Sequence, residues 1–149
     1  MFKLNQMIVR PWEQKDIEKI AEIERQSFSD PWSADMLADT LRYPVYHTFL
    51  AEEGGQVCGY GCLIVLFEDA ELANIAVSPD CRGKGVGKTL MESMHEKAKA
   101  LGAERMLLEV RVSNARAIGL YEKYGYHRYG IREKYYPDGE DAYLMTKAL

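Results

Sequence analysis

Two features of the sequence carry groups suited to chemistry. The first is Arg82-Gly83-Lys84-Gly85-Val86-Gly87-Lys88, set between an apolar run from Leu72 to Val77 and an amphipathic helical pattern. Three alternating glycines leave backbone N–H groups uncovered where a helix begins, and the unpaired donors and helix dipole there favour a phosphate. The loop therefore predicts a phosphorylated ligand. The second is Glu109, a carboxylate in the mostly apolar strand Met106 to Val112. Strand alternation puts Leu107, Glu109 and Arg111 on one face and Met106, Leu108, Val110 and Val112 on the other. Glu109 then reads either as a working carboxylate or as a strand glutamate ion-paired to Arg111 along its own face.

Spacing decides which phosphate loop this is. The NTPase pattern G-x-x-x-x-G-K-[ST] is approached by Gly87-Lys88-Thr89, but its first glycine falls on Arg82. The dinucleotide pattern G-x-G-x-x-G fails from Gly83 and Gly85, because its third glycine falls on Lys88. Both are rejected.

The elements that must hold these groups emerge from the hydrophobic periods. Met7 to Arg10 reads as a strand closed by Pro11, and Gln14 to Phe28 as a helix with Ile17, Ile20, Ala21 and Ile23 on one side. Ser33 is an N-cap for a short second helix that ends by Tyr43-Pro44. Val45 to Glu52 and Gln56 to Leu66 form a hairpin about Gly54-Gly55, and after a turn at Glu68-Asp69 a third strand runs from Glu71 to Val77. Val86, Leu90, Met94, Ala98 and Leu101 make one helical stripe stopped by Gly102. Arg105 to Val112 is a strand and Ala115 to Tyr124 a helix stopped by Gly125. Tyr126 to Tyr135 with Asp141 to Leu149 is a closing hairpin around Pro137-Asp138-Gly139. The strand, loop, helix and strand between 72 and 112 predict a right-handed parallel crossover beside antiparallel hairpins. The fold class is α/β with a mixed central sheet of about seven strands and about four flanking helices, in one domain over residues 1–149.

Composition narrows the function. A net charge of −4 argues against a general nucleic-acid binder. Met1 to Gln6 has no apolar signal core, and no run approaches the about 20 apolar residues of a membrane helix, so a cytoplasmic chain is expected. Cys58, Cys62 and Cys81 lack paired metal-ligand spacing. Cys58 and Cys62 are expected on one face of a strand, and all three as small buried hydrophobes and not as ligands or disulfides. His47, His95 and His127 are scattered, and no metal is expected.

The loop Arg82-Gly83-Lys84-Gly85-Val86-Gly87, read as R/Q-x-x-G-x-G/A after an apolar strand, resembles the GNAT acetyltransferases, and the element order along essentially the whole chain is theirs too. The resemblance implies that Arg82, Gly83, Lys84, Gly85, Val86, Gly87 and Lys88 wrap the pyrophosphate of acetyl-coenzyme A. It also implies that the backbone of Ile75-Ala76-Val77 meets the pantetheine arm and gives an N–H to the thioester oxygen. The run Leu108-Glu109-Val110-Arg111-x-Ser113-Asn114-x-x-Ala117-x-x-Leu120-Tyr121 resembles one branch, the bacterial N-terminal alanine acetyltransferases that act on a small-subunit ribosomal protein. By that resemblance Glu109 is the general base, Tyr121 the general acid that protonates the departing thiolate, and Asn114 a contact to the coenzyme. Phe28 and Trp32 in the first helix connection, and Tyr135 and Tyr136 in the last hairpin, resemble that branch's acceptor surface. Trp32 serves equally as a core anchor, and Tyr135 or Tyr136 as a cross-strand packing residue.

The chemistry wants these types. An ammonium is no nucleophile, so an amine attacking a thioester needs a carboxylate within reach, and coenzyme A leaves as a thiolate that a nearby phenol can protonate. Direct transfer is expected, since nothing in the sequence pairs a cysteine with a histidine. The expected partner is the N-terminus of a ribosomal protein, and the enzyme is expected to be a monomer. Acetylation of a small amine or a lysine side chain, and a non-catalytic acyl-coenzyme A sensor, are the alternatives. The presence of both Glu109 and Tyr121 weighs against the sensor.

Overall fold

The computed structural model describes residues 7–149, so the expectation placed on Met1–Gln6 lies outside the described residues. Strand β1 (Met7–Arg10) leads through a short 3-10 turn (Gln14–Asp16) into α1 (Ile17–Ser27), which buries Ile17, Ile20, Ala21, Ile23 and Glu24. The turn is held from both sides: the Asp16 carboxylate accepts from Glu13 N at 2.7 Å and pairs with Arg10 Nη1 at 2.8 Å. That pairing holds the Asp16 carboxyl below the usual carboxylate range. Helix α2 (Ala34–Thr40) is capped by Ser33, whose hydroxyl accepts from Met36 N at 3.2 Å, as the sequence predicts.

Strands β2 (Tyr46–Glu53), β3 (Gln56–Leu66) and β4 (Asp69–Val77) form the antiparallel meander, and α3 (Val86–Ala100) crosses from β4 to β5 (Arg105–Arg111). Helix α4 (Ala115–Lys123) follows, and β6 (His127–Arg132) and β7 (Ala142–Ala148) complete, among the described residues, a seven-stranded sheet of order β1-β2-β3-β4-β5-β7-β6 in which only β4 and β5 run parallel. The expected fold class holds. Helices α1 and α2 cover one face through a cluster that includes Trp12, Ile20, Ile23, Leu37, Leu50 and Tyr60. Helix α3 lies on the other, packing Leu90 and Met94 against Leu63, Leu72, Met106 and Met145. Burying each such side chain stabilises the fold by about 1.5–3 kcal/mol.

Two features of the sheet position the site. The parallel ladder between β4 and β5 joins only Asp69–Glu71 to Arg105–Leu107, while β4 stays paired to β3 as far as Val77 and β5 to β7 as far as Arg111. The sheet therefore opens into a V between the second half of β4 and the second half of β5. The β5-facing backbone groups of β4 there have no ladder partner. In addition, the β3–β4 register skips Ala73, with Leu72 opposite Leu63 and Asn74 opposite Cys62. This bulge reverses the alternation, so that Leu72 packs with the α3 cluster and Ala76 with the α1–α2 cluster, although both numbers are even.

A second bulge corrects the cysteine reading. Gly59 pairs with Ala51 but Val57 with Glu52, which leaves Cys58 as the extra residue. Cys58 therefore faces the α3 cluster and Cys62 the α1–α2 cluster, on opposite faces of β3. All three cysteines are buried free thiols, with Cys58 and Cys81 in direct contact, and burial pushes the Cys58 and Cys62 thiols up to about 12. Strand β6 is also shorter than the sequence reading, ending at Arg132. Lys134 takes φ 50, a left-handed conformation that ends a strand, and Tyr135 and Tyr136 lie in the connecting loop and not in a cross-strand row.

Candidate active site

The glycine loop opens the site. Gly83 and Gly85 have φ values of 80 and 78, which disfavour any side chain, and Gly85 is the N-cap of α3 without a capping side chain. The first-turn N–H groups of α3 are thus left to whatever sits above them. Gly87 is different: it lies inside the helix, and a Cβ there would meet Val77 Cγ2 at 3.7 Å, an ordinary contact. Two of the three glycines shape the backbone, and the third leaves room.

Below the loop, a cleft of about 1080 Å³ fills the V. Its walls include Ile75, Ala76 and Val77 on β4, Arg82, Gly83, Gly85, Val86, Gly87 and Lys88 at the loop, and Asn114 and Tyr121 from α4. Of the coenzyme contacts read from the sequence, Lys84 alone is not among the lining residues; it projects from the loop as an exposed side chain. The residues present suit a long polyanionic ligand, with two cations and a free helix N-terminus at one end and uncapped strand backbone along the middle. Asn114 has a second task, since its Oδ1 accepts from Ala117 N at 3.2 Å and caps α4.

A smaller cavity of about 470 Å³ adjoins the cleft, lined by Tyr46, Glu71, Tyr135 and Pro137 among others. The two share Asp30, Trp32, Leu72, Ala73, Glu109 and Tyr136. Glu109 is therefore at the junction, and its partner is not the one alternation offers. Arg132 Nη1 lies 3.2 Å from Glu109 Oε1, whereas Arg111 binds Asp30 at 3.0 Å, Asp138 at 2.8 Å and Glu140 at 2.8 Å. Arg111 also lies over the Tyr136 ring, 4.1 Å from its centroid. One guanidinium thus ties the α1–α2 connection to the β6–β7 loop, the two segments that carry Trp32 and Tyr136. Phe28 lines the larger cavity and Tyr135 the smaller.

Tyr121 is half-buried against Tyr126, with ring centroids 5.8 Å apart. Burial, then the nearby Tyr136, pushes its phenol up to about 12. Tyr136 is itself pushed up to about 12 by burial and then by Glu109. Sequence reasoning missed several lining residues: Glu71, Asp30, Arg116, and Ser27, whose buried Oγ has no hydrogen-bond partner among the described residues. Desolvation, then the charge of Glu109, raises the Glu71 carboxyl. Alternation offered a signal for Glu71, a charge in an apolar strand like that of Glu109.

An opened mixed sheet with a glycine-rich helix start at its mouth and a carboxylate and a half-buried phenol in its walls defines an acyl-transfer fold of the acetyltransferase kind. Residues 17–126 match the acetyltransferase (GNAT) family, and the chain belongs to it. The chain is 36% identical over 137 residues to a ribosomal protein bS18-alanine N-acetyltransferase of Escherichia coli strain K12, covering 90% of this chain and 92% of that protein. It is 42% identical over 139 residues, 92% of each chain, to a Bacillus subtilis strain 168 protein provisionally named for the same activity. The crystal structure of the ribosomal-protein-S18-alanine N-acetyltransferase from Escherichia coli superposes with a TM-score of 0.86 at 34% identity, covering 96% of this chain and 94% of that one.

Proposed function

We propose that this chain transfers acetyl from acetyl-coenzyme A to the α-amino group of a protein, the N-terminal alanine of a small-subunit ribosomal protein, by direct attack. The observation that carries the reading is the junction at Glu109: a long cleft suited to the coenzyme and a short aromatic slot meet at one carboxylate. The relatives' activity supports the choice of acceptor.

When bound, acetyl-coenzyme A supplies an activated acetyl group. The residues of the chain do the rest. The loop Arg82–Lys88 and the α3 N-terminus hold the phosphates, and β4 backbone from Ile75 to Val77 holds the pantetheine arm and donates an N–H toward the thioester oxygen. Trp32, Tyr135 and Tyr136 line the slot that admits a free chain end, and Phe28 stands in the adjoining cleft. Glu109 takes the proton of the amine directly or through a water, and Tyr121 supplies a proton to the departing sulfur. An α-amine with a pKa near about 8 is roughly 10% neutral at pH 7, against about 0.04% for a lysine amine near about 10.4, so the α-amine is the acceptor one carboxylate can serve most readily.

The cytoplasm is the compartment proposed, in keeping with relatives that modify a ribosomal protein. No helix of the described residues is long and apolar enough to cross a membrane. The enzyme is proposed to work as a monomer. Incubation with acetyl-coenzyme A and a peptide panel, read by mass, tests the reading. An alanine-first peptide gains one acetyl at its N-terminus, and the same peptide with a blocked N-terminus and an internal lysine gains none. Equal labelling of the blocked peptide, or preference for a polyamine or aminoglycoside, moves the function to a different acceptor.

A further inference from the structure

The buried stripe of α1 contains one charge. Glu24 comes four residues after Ile20 and one after Ile23, and is 1% exposed. Packing alone does not ask for it, because its neighbours fill the same layer with hydrocarbon and a carboxylate taken out of water is costly. Its partners are neutral donors. Tyr60 Oη lies 2.6 Å from Oε1, Asn74 Nδ2 donates to the same oxygen, and the Trp32 backbone N–H donates to Oε2 at 2.9 Å.

Those donors come from the segments the site is built on. Tyr60 is on β3. Asn74 is the first residue after the β4 bulge, where the sheet begins to open, and it precedes the Ile75–Val77 backbone directly. Trp32 is in the α1–α2 connection and lines both cavities. The bulge is what turns Asn74 toward Glu24, since without it Asn74 would share the α3 face with Leu72.

We propose that Glu24 is a positioning residue for the acceptor slot, fixing the Trp32 wall against the opened half of β4 through hydrogen bonds to the Trp32 N–H and the Asn74 amide. Glu24 borders the larger cleft but exposes only 1% of its surface, so it acts through those donors. Its effect is to keep the slot and the coenzyme strip at one separation, so that a chain end held by the first meets an acyl group held by the second. The inference rests on the acetyl-transfer reading for its kinetic consequence but not for its structural one.

Glu24→Gln tests it, because a side-chain amide has one acceptor oxygen and brings two donors, and so cannot serve all three N–H and O–H groups. The expected result is a peptide KM raised about tenfold with coenzyme Kd changed by less than about twofold. Amide exchange read by mass spectrometry over residues 28–33 becomes faster. Tyr60→Phe removes one donor but leaves both named ties, and is expected to lower Tm with KM and exchange at 28–33 near wild type. If Glu24→Gln lowers Tm alone, with KM and exchange at 28–33 unchanged, Glu24 is a core residue and the inference is overturned. If the wild-type protein acetylates no α-amine peptide, the acceptor assignment fails, and the exchange comparison still decides whether Glu24 holds Trp32.

Discussion

Arg132 reaches Glu109 diagonally across β7, placing Nη1 3.2 Å from Oε1, and it stands in the same cross-strand row, through Ala142, as Arg111. The Arg111 position is two residues from Glu109 on the same face, yet its guanidinium is fully engaged by Asp30, Asp138 and Glu140. The arginine that faces the proposed base is thus supplied by the edge strand β6.

Glu109→Gln is expected to lower kcat by about 10²-fold or more, as removal of a general base does. Arg132→Gln removes a pair with an exposed partner, worth no more than about 1 kcal/mol, and so costs less than about fivefold. Steady-state rates on an alanine-first peptide check both. Near-wild-type turnover in Glu109→Gln assigns the base to another group.

Arg111→Lys keeps the charge but loses the planar fork that grips three carboxylates and the flat face that lies on Tyr136. The slot walls then separate. The expected outcome is a peptide KM raised about tenfold with coenzyme affinity retained, measured by initial rates and calorimetry. Equal loss of coenzyme binding would mean that Arg111 supports the whole V and not the slot.

Gly83 and Gly85 have room for a Cβ but not the backbone torsion for one. Gly85→Val is expected to abolish the rise in Tm that acetyl-coenzyme A gives, because the ligand stabilises only the form that binds it. Gly87→Ala, with an ordinary helical backbone and a contact of 3.7 Å to Val77, is expected to keep most of that rise. A large shift with ATP or NAD, and none with acetyl-coenzyme A, would reassign the loop.

The element order was legible because each helix and strand carries its own apolar period, and the loop because its glycines sit at fixed spacing. The bulges were not. Cys58 and Ala73 are extra residues only relative to a partner strand, so a period of two read along one strand assigns every residue past the bulge to the wrong face, as it did for Cys58 and Cys62. Arg111 shows the same limit. Alternation puts it beside Glu109, but its actual partners include Asp30, 81 residues away, and the competition among acids is settled by the folded loop. Glu24 falls at the helical spacing of the Ile20 stripe, a signal the sequence reading left unused. Its donors, drawn from three other segments, were not legible.

Tyr121 imposes no alkaline limb in the ordinary range. Burial holds its phenol near about 12, so it keeps its proton while the acceptor amine loses its own near about 8. Turnover should rise through pH 7–9 and stay level to about 10, and Tyr121→Phe should lower it by about 10²-fold without shifting the profile. A fall above pH 9 that disappears in Tyr121→Phe would show that the phenol titrates there.

Stability at mildly acidic pH is set in part by His95. Its Nε2 lies 2.8 Å from Tyr126 Oη in the α3 cluster, and burial, then Lys147 and Lys99, pushes its pKa down to about 4. In the unfolded chain an imidazole takes its proton near about 6.5, so between these values the unfolded state binds more protons than the native one. Stability is therefore full above about 6.5 and falls as pH drops toward 4. Asp16, held below the carboxylate range by Arg10, loses its contribution only in a more acidic window. His95→Gln can still bond Tyr126 but does not titrate. Urea midpoints measured at pH 7.5 and 5 should fall less in His95→Gln than in the wild type, and an equal fall in both would place the sensitivity on another group.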